Sequence, residues 1–213
     1  MSARAGGRAW CRGRVKRAFD LTASSVALLL LAPLALLIAL LLRVTSGPPV
    51  LFRQERVGLD GRSFRILKFR TMRQDVAGPA VTALGDGRIT AMGRMLRACK
   101  LDEVPQLLNV VRGDMSVVGP RPELPRYVAL YSPAQRRVLD VRPGLTDDAT
   151  VAFRDEERLL GAIPPDARER YYVEQILPRK LDLNLAYIER AGFLRDLAII
   201  LQTARAIVVR SRM

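Results

Sequence analysis

The sequence predicts a mostly helical α+β chain: an N-terminal re-entrant membrane helix, then a compact cytoplasmic domain holding a small β-hairpin and interfacial helices. Three observations carry this. Val26 to Leu42 contains no charged or strongly polar residue. Two short β-prone segments flank an Asp60-Gly61 turn. Much of the remaining apolar content recurs at helical spacing. The expected organisation is residues 1–43 as basic N-terminus and membrane helix, with residues 44–213 as a catalytic domain continuous with it, the two forming one functional unit.

The apolar run is leucine-rich, and Leu21 to Ser25 lengthens it with only Thr and Ser interruptions. Stretches of about 18 or more apolar residues read as membrane segments. A buried core helix and a cleaved signal peptide are the competing readings. The run is long for a signal peptide, and Arg43-Val44-Thr45-Ser46-Gly47 has no small-x-small cleavage site. Basic residues stand on both sides, from Arg8, Arg12, Arg14, Lys16 and Arg17 to Arg43, Arg53 and Arg56. Basic flanks prefer the cytoplasm. A simple span places one cluster outside; a helix that enters, bends at Pro33 and returns keeps both inside. Pro33 removes one helix hydrogen bond and kinks the axis, so it is the expected membrane-helix break. Ala32 offers no hydroxyl to the freed carbonyl. Of the two topologies the re-entrant one is preferred.

Val50 to Gln54 and Ser63 to Arg70 form the expected hairpin, since Asp-Gly between β-prone segments is a strong hairpin signal. In the second strand Phe64, Ile66, Lys68 and Arg70 share a face, as phosphate-binding cations or as ordinary surface charge. Asp75 to Gly87 reads as a loop. Thr90 to Cys99 is helical, with Met92, Met95, Leu96 and Cys99 on one side. Leu101 to Val111 reads as a further helix, with Asp102 as N-cap and Gly113 as C-terminal stop. Residues 113–122 read as a rigid, turn-rich loop, and Pro164 to Gln175 as a helical piece. Asp196 to Arg210 places Leu197, Ile200, Leu201, Ala204, Ile207 and Val208 on one face, to pack on the core or lie in the membrane interface.

The 213 residues carry a formal net charge of +14. That favours polyanionic partners, whether nucleic acid, anionic lipid or phosphorylated substrate. There is no histidine, which excludes Ser-His catalysis and His-ligated zinc. Cys11 and Cys99 form neither a metal motif nor a disulfide framework. Chemistry falls to carboxylates, hydroxyls, Lys and Arg. Asp102 at a helix start would feel the positive end of the helix dipole, which keeps a carboxylate ionised. An ionised Asp can attack phosphorus; it can equally be a plain cap.

Several segments taken together resemble the monotopic polyprenyl-phosphate phosphoglycosyl transferases, also called bacterial sugar transferases. They are Lys16-Arg17-Ala18-Phe19-Asp20, Phe52-Arg53-Gln54-Glu55-Arg56-Val57-Gly58 and Lys68-Phe69-Arg70-Thr71-Met72. Further on come Leu101-Asp102-Glu103-Val104-Pro105-Gln106-Leu107, Asn109, the segment from Gly113 to Pro122, and Arg142-Pro143-Gly144-Leu145-Thr146. Their order and spacing carry the resemblance, and the chain looks like the minimal form of the family. Two positions differ from the family pattern: Ala32 stands where Ser often precedes Pro33, and Asp147 where Gly often follows the Pro-Gly-x-Thr segment.

The resemblance implies an Asp-Glu dyad on Asp102 and Glu103, Mg2+ as cofactor, a re-entrant helix, and a site facing the cytoplasm at the bacterial inner membrane. It implies a UDP-sugar donor that loads Asp102 with phosphosugar, and undecaprenyl phosphate as acceptor. Glu103 is then expected to ligand the metal or orient the acceptor. Arg121, between Pro120 and Pro122, is the expected phosphate clamp, with Lys68 and Arg70 as further candidates. The lipid bilayer is a partner, nucleic acid is not, and a homodimer is compatible with the sequence. Direct displacement without an intermediate, a basic binding protein and a non-catalytic scaffold are the alternatives.

Overall fold

The computed structural model describes residues 2–76, 78 and 81–210. Helix α1 (Ser2–Arg12) leads through Gly13 into α2 (Arg14–Ser46). Strands β1 (Leu51–Val57) and β2 (Ser63–Phe69) follow, then α3 (Ala91–Ala98), α4 (Gln106–Arg112) and β3 (Ser116–Val118). After α5 (Pro125–Val128) come β4 (Gly144–Thr146), α6 (Asp148–Ala152), α7 (Glu156–Gly161), α8 (Arg168–Tyr171), α9 (Leu177–Arg190) and α10 (Phe193–Arg210). The mostly helical α+β expectation holds.

Helix α2 contains the apolar run and stays helical on both sides of Pro33. The proline removes a donor from the ladder, but the helix does not end there, so the expected break is not a helix terminus. Little of its apolar stretch is buried, and Leu29, Leu30, Leu36 and Leu40 are exposed. A core helix would bury such residues; this one presents them outward.

Both halves of α2 nevertheless hold the domain. Near its start, the Arg17 guanidinium donates to the Val110 and Val111 carbonyls at 2.6 and 2.9 Å. These lie in the last turn of α4, where helix carbonyls lack partners and favour cations. Lys16, Asp20 and Asp196 are fully buried. The Lys16 ammonium lies 2.7 Å from Asp196 Oδ2 and 3.4 Å from Asp20 Oδ1. Trp10 Nε1 and the Tyr187 hydroxyl also donate to Asp196, at 3.0 and 2.7 Å. Buried charge is tolerated when paired and hydrogen-bonded in this way. The network ties α1, α2, α9 and α10 together. Near the other end of α2, Ile38 and Leu42 pack with Phe69 and Leu96. Full burial of a leucine contributes about 1.5–3 kcal/mol.

The expected hairpin is present: β1 and β2 pair antiparallel from Leu51 with Phe69 to Val57 with Ser63, around a turn with Asp60 at φ 54°. Residues 75–87 contain no helix or strand among the described ones; 77, 79 and 80 lie outside the described residues. Helix α3 starts at the expected place, with Thr90 Oγ1 accepting from Gly93 N at 2.9 Å.

Three expectations are corrected. Asp102 is not an N-cap: Leu101–Glu103 form a separate 3-10 turn, and the α-helix begins only at Gln106, after Pro105. Gly113 does end it, in the left-handed region at φ 95°. The 113–122 segment is not only loop, because β3 lies in it and pairs in parallel with β4. The helical piece foreseen up to Gln175 runs on: α8 passes through a π-turn at Tyr172–Ile176 into α9. Helix α10 has two apolar faces. Ile199 is fully buried, while Leu194 and Leu201 are exposed. Core and interface readings each describe one face, and the Val208 side chain lies outside the described residues.

Candidate active site

The tight turn before α4 creates the dyad. Lys100 adopts a left-handed backbone at φ 57°, which turns the chain sharply out of α3. Asp102 and Glu103 follow, 5% and 8% exposed. Asn109 then fixes α4 against the hairpin. Its Oδ1 accepts from Leu67 N at 3.0 Å and its Nδ2 donates to the Arg65 carbonyl at 2.9 Å. This brings Lys68 beside the turn, where its ammonium donates to Glu103 Oε1 at 3.0 Å.

Arg121 arrives from the other side, on the segment leaving β3. The β3–β4 pair continues into a close approach of Gly119 and Gly144. A Cβ on Gly144 would lie 2.2 Å from Gly119 backbone atoms, so only glycine fits. The Asp147 carboxylate then accepts from Arg121 N at 3.1 Å and from Thr150 N at 2.6 Å. It caps α6 and holds the Arg121 backbone at once. Arg121 Nη2 donates to Glu103 Oε1 at 2.6 Å, and Nη1 lies 3.5 Å from Oε2.

The two dyad carboxyls are pushed apart electrostatically. Burial raises the proton affinity of Glu103, but the charges of Arg121, Lys68 and Lys100 outweigh it and hold the group well below the ordinary range. Asp102 moves upward, first through burial and then through the neighbouring Glu103 charge; Lys68, Lys100 and Arg97 oppose this only in part. Asp102 sits in the first turn of a short 3-10 segment rather than at an α-helix cap, and burial outweighs whatever that turn contributes to keeping it ionised. Its Oδ1 is buried with no hydrogen-bond partner. Burial lowers the Lys68 pKa despite Glu103, and the Glu103 charge raises that of Arg121. Titratable neighbours displaced in opposite directions mark functional sites.

Of the residues singled out from sequence, Asp102, Glu103, Lys68 and Arg121 converge. Arg70 does not join them. Its guanidinium donates to the Ser46, Gly47 and Pro48 carbonyls at 2.5–3.0 Å, capping the C-terminal end of α2. Pro33 also lies outside the cluster, within α2. Lys100, which no sequence motif marks, also lines the cavity and forms no salt bridge among the described residues. Its place just before the Asp-Glu pair was the available signal. Asp147 appeared only as a departure from the family pattern, although Asp147-x-x-Thr150 is a cap-compatible spacing.

No group of three or more His, Cys, Asp or Glu residues that could hold a metal occurs among the described residues. Mg2+ commonly takes one or two carboxylates plus substrate phosphates, so the unpartnered Asp102 oxygen beside Glu103 fits that ion. Glu103 itself faces Lys68 and Arg121.

A cavity of about 520 Å3 opens beside the dyad. Glu103, Arg121 and Lys100 line one part, and Ala27 and Leu31 of α2 with Ile207 of α10 line another. It therefore joins the charged groups around Glu103 to the apolar helices.

Residues 11–210 match the family model described as bacterial sugar transferase. The chain is 39% identical to a UDP-glucose:undecaprenyl-phosphate glucose-1-phosphate transferase of Caulobacter vibrioides, over 91% of this chain and 69% of that one. It is 36% identical to the uncharacterized sugar transferase EpsL of Bacillus subtilis, over 92% and 88%. It is 34% identical to a UDP-N-acetylgalactosamine-undecaprenyl-phosphate N-acetylgalactosaminephosphotransferase of Aeromonas hydrophila, over 91% of this chain but 44% of that one. With a family match across nearly its whole length, the chain belongs to the bacterial sugar transferase family.

Proposed function

We propose that this chain moves a sugar-1-phosphate from a UDP-sugar onto undecaprenyl phosphate, releasing UMP, as the first membrane step of bacterial glycan assembly. The observation that carries the mechanism is the buried, unpartnered Asp102 oxygen beside a Glu103 caged by Lys68 and Arg121. The Asp102 carboxylate attacks the phosphorus bearing the sugar. The bond from that phosphorus to the UMP oxygen breaks, and UMP leaves. An oxygen of the lipid phosphate then attacks the same phosphorus and displaces Asp102. The acceptor is already an anion, so no general base is needed, in keeping with a chain that has no histidine.

Two phosphorylated substrates and a carboxylate repel one another, and the protein supplies cations to offset this. Lys68 and Arg121 hold Glu103 ionised, and Lys100 is uncommitted beside it. Bound at Asp102 and Glu103, Mg2+ would offset charge on the diphosphate and the departing phosphate. Binding of cations next to Asp102 also favours its ionised, nucleophilic form. The apolar walls from α2 and α10 suit a lipid-borne acceptor at a re-entrant helix, with the site on the cytoplasmic side of the inner membrane.

The test is intact-protein mass spectrometry after incubation with donor alone, followed by peptide mapping. The wild-type protein gains one phosphosugar on Asp102, and Asp102→Asn gains none and does not turn over. Turnover by Asp102→Asn, with deamidation excluded, would favour direct displacement. Chelation abolishes turnover and Mg2+ restores it; full activity in excess chelator removes the metal from the scheme.

A further inference from the structure

The cavity has more polar wall than phosphate transfer uses. Beyond Arg121 it continues between α6 and α9, where two buried oxygens have no hydrogen-bond partner. They are Oδ1 of Asn184, a residue 4% exposed, and Oγ1 of Thr150. Nearly all buried polar atoms in folded proteins are paired with protein, water or ligand, so two on one cavity wall are open to the hydroxyls of a bound ligand. Their place relative to the chemistry is set by Asp147. One of its oxygens accepts from Arg121 N and the other from Thr150 N, so a single carboxylate separates Thr150 from the phosphate clamp.

The charge of this end of the cavity narrows the ligand. Lys180, one helical turn before Asn184, is held by Glu156 and lies over the rings of Tyr172 and Phe153, 5.1 and 5.9 Å from their centroids. The Glu123 carboxylate lines the same cavity and accepts from the Tyr172 hydroxyl at 2.5 Å. A ligand here meets the Asn184 amide oxygen, the Thr150 hydroxyl and carboxylates, while the nearby Lys180 ammonium is already paired with Glu156. Uracil offers a single N–H donor, whereas the wall also presents carboxylates, Glu123 among them, that call for further donors. A pyranose offers several hydroxyl donors.

We infer that Asn184 and Thr150 form the subsite that reads the sugar of the donor, accepting hydrogen bonds from the hydroxyls of an uncharged pyranose and disfavouring a uronic acid. The inference rests on the transfer reading above and gives it a specificity site.

The experiment uses the full chain in nanodiscs with undecaprenyl phosphate. Donors are UDP-glucose, UDP-N-acetylgalactosamine, UDP-glucuronate and monodeoxy analogues of the best of them. Variants are Asn184→Leu, Thr150→Val and Thr150→Ser, each checked for folding by thermal unfolding. An uncharged donor is expected to exceed UDP-glucuronate in kcat/KM by about 100-fold or more. At least one deoxy analogue loses about 10-fold or more in the wild type, and that penalty shrinks in the variant lacking its partner. Thr150→Ser restores the discrimination that Thr150→Val loses, and UMP inhibition is unchanged throughout. The Thr150 pair carries the comparison alone if Asn184→Leu does not fold. The inference is overturned if the variants keep the wild-type donor order and the full deoxy penalty, if UMP binding weakens as much as donor binding, or if UDP-glucuronate is the best donor. A wild-type protein that releases UMP from no donor overturns the transfer reading itself.

Discussion

Asp102 and Glu103 are neighbours in the chain with opposite electrostatic settings, and this predicts opposite effects on stability. The Asp102 pKa is raised on folding by burial and by Glu103. Its ionisation therefore opposes folding: the cost is absent below the unfolded pKa, grows as pH rises, and is complete above the folded pKa. Glu103 is depressed on folding, because Arg121 and Lys68 outweigh its burial. It contributes stability above its unfolded pKa and loses it as pH falls through the folded one. At neutral pH, Asp102→Asn is therefore expected to raise the midpoint of thermal unfolding of the free protein while abolishing turnover. Glu103→Gln is expected to lower that midpoint; a lower midpoint for Asp102→Asn would contradict this account of the dyad. Arg121 grips both Glu103 oxygens with one planar fork, which lysine cannot reproduce. Arg121→Lys is expected to lose about 100-fold or more in kcat. Arg73→Lys, at an exposed pair with Asp75, serves as the control and stays near wild type.

Single side chains at element junctions set the geometry of the site. Asp147 joins the α6 cap to the Arg121 backbone. Asp147→Ala is expected to cost about 1 kcal/mol from the cap, together with a fall in kcat that Asp147→Asn partly restores; thermal unfolding and steady-state kinetics read the two effects separately. The same junctions show what the sequence could reveal. The hairpin was legible because Asp60-Gly61 encodes its turn locally, and α3 because Thr90 caps it and Leu96 follows at helical spacing. The start of α4 was misread, since a left-handed Lys100 and a 3-10 turn intervene and leave no strong local signature. The β3–β4 pair was hidden because each strand spans only three residues and the two lie far apart in the chain. Within the site, Asp102, Glu103, Lys68 and Arg121 were identifiable from motif and charge, whereas their mutual contacts are tertiary. The place of Arg70 outside the cluster was not legible, because a conspicuous cation reads alike whether it binds a phosphate or caps helix carbonyls. Lys100 and Asp147 carry meaning only once the turn and the α6 cap are built.

At the scale of the molecule, topology follows from where α2 meets the domain. Its contacts cluster at Arg17 and Asp20 near one end and at Ile38 and Leu42 near the other. Asp20 and Leu42 are about 33 Å apart at 1.5 Å per residue, close to the roughly 30 Å hydrocarbon thickness of a bilayer. A helix crossing the membrane would need the domain to touch it on both sides, placing the Lys100–Glu103 turn at hydrocarbon depth. Charged groups at that depth are heavily penalised. A helix that dips into one leaflet, with α10 presenting Leu194 and Leu201 beside it, avoids this. The re-entrant reading predicts that both ends of α2 face the cytoplasm. Cys11 is a poor probe of this, being only 6% exposed, but Arg14 and Arg53 are exposed on the two sides of the apolar run. In a Cys11→Ser, Cys99→Ser background, Arg14→Cys and Arg53→Cys are treated singly with a membrane-impermeant maleimide on intact spheroplasts. Neither is expected to react before lysis and both after it. Labelling of Arg14→Cys before lysis, with Arg53→Cys still protected, would establish a simple span and require the contacts at one end of α2 to be rebuilt.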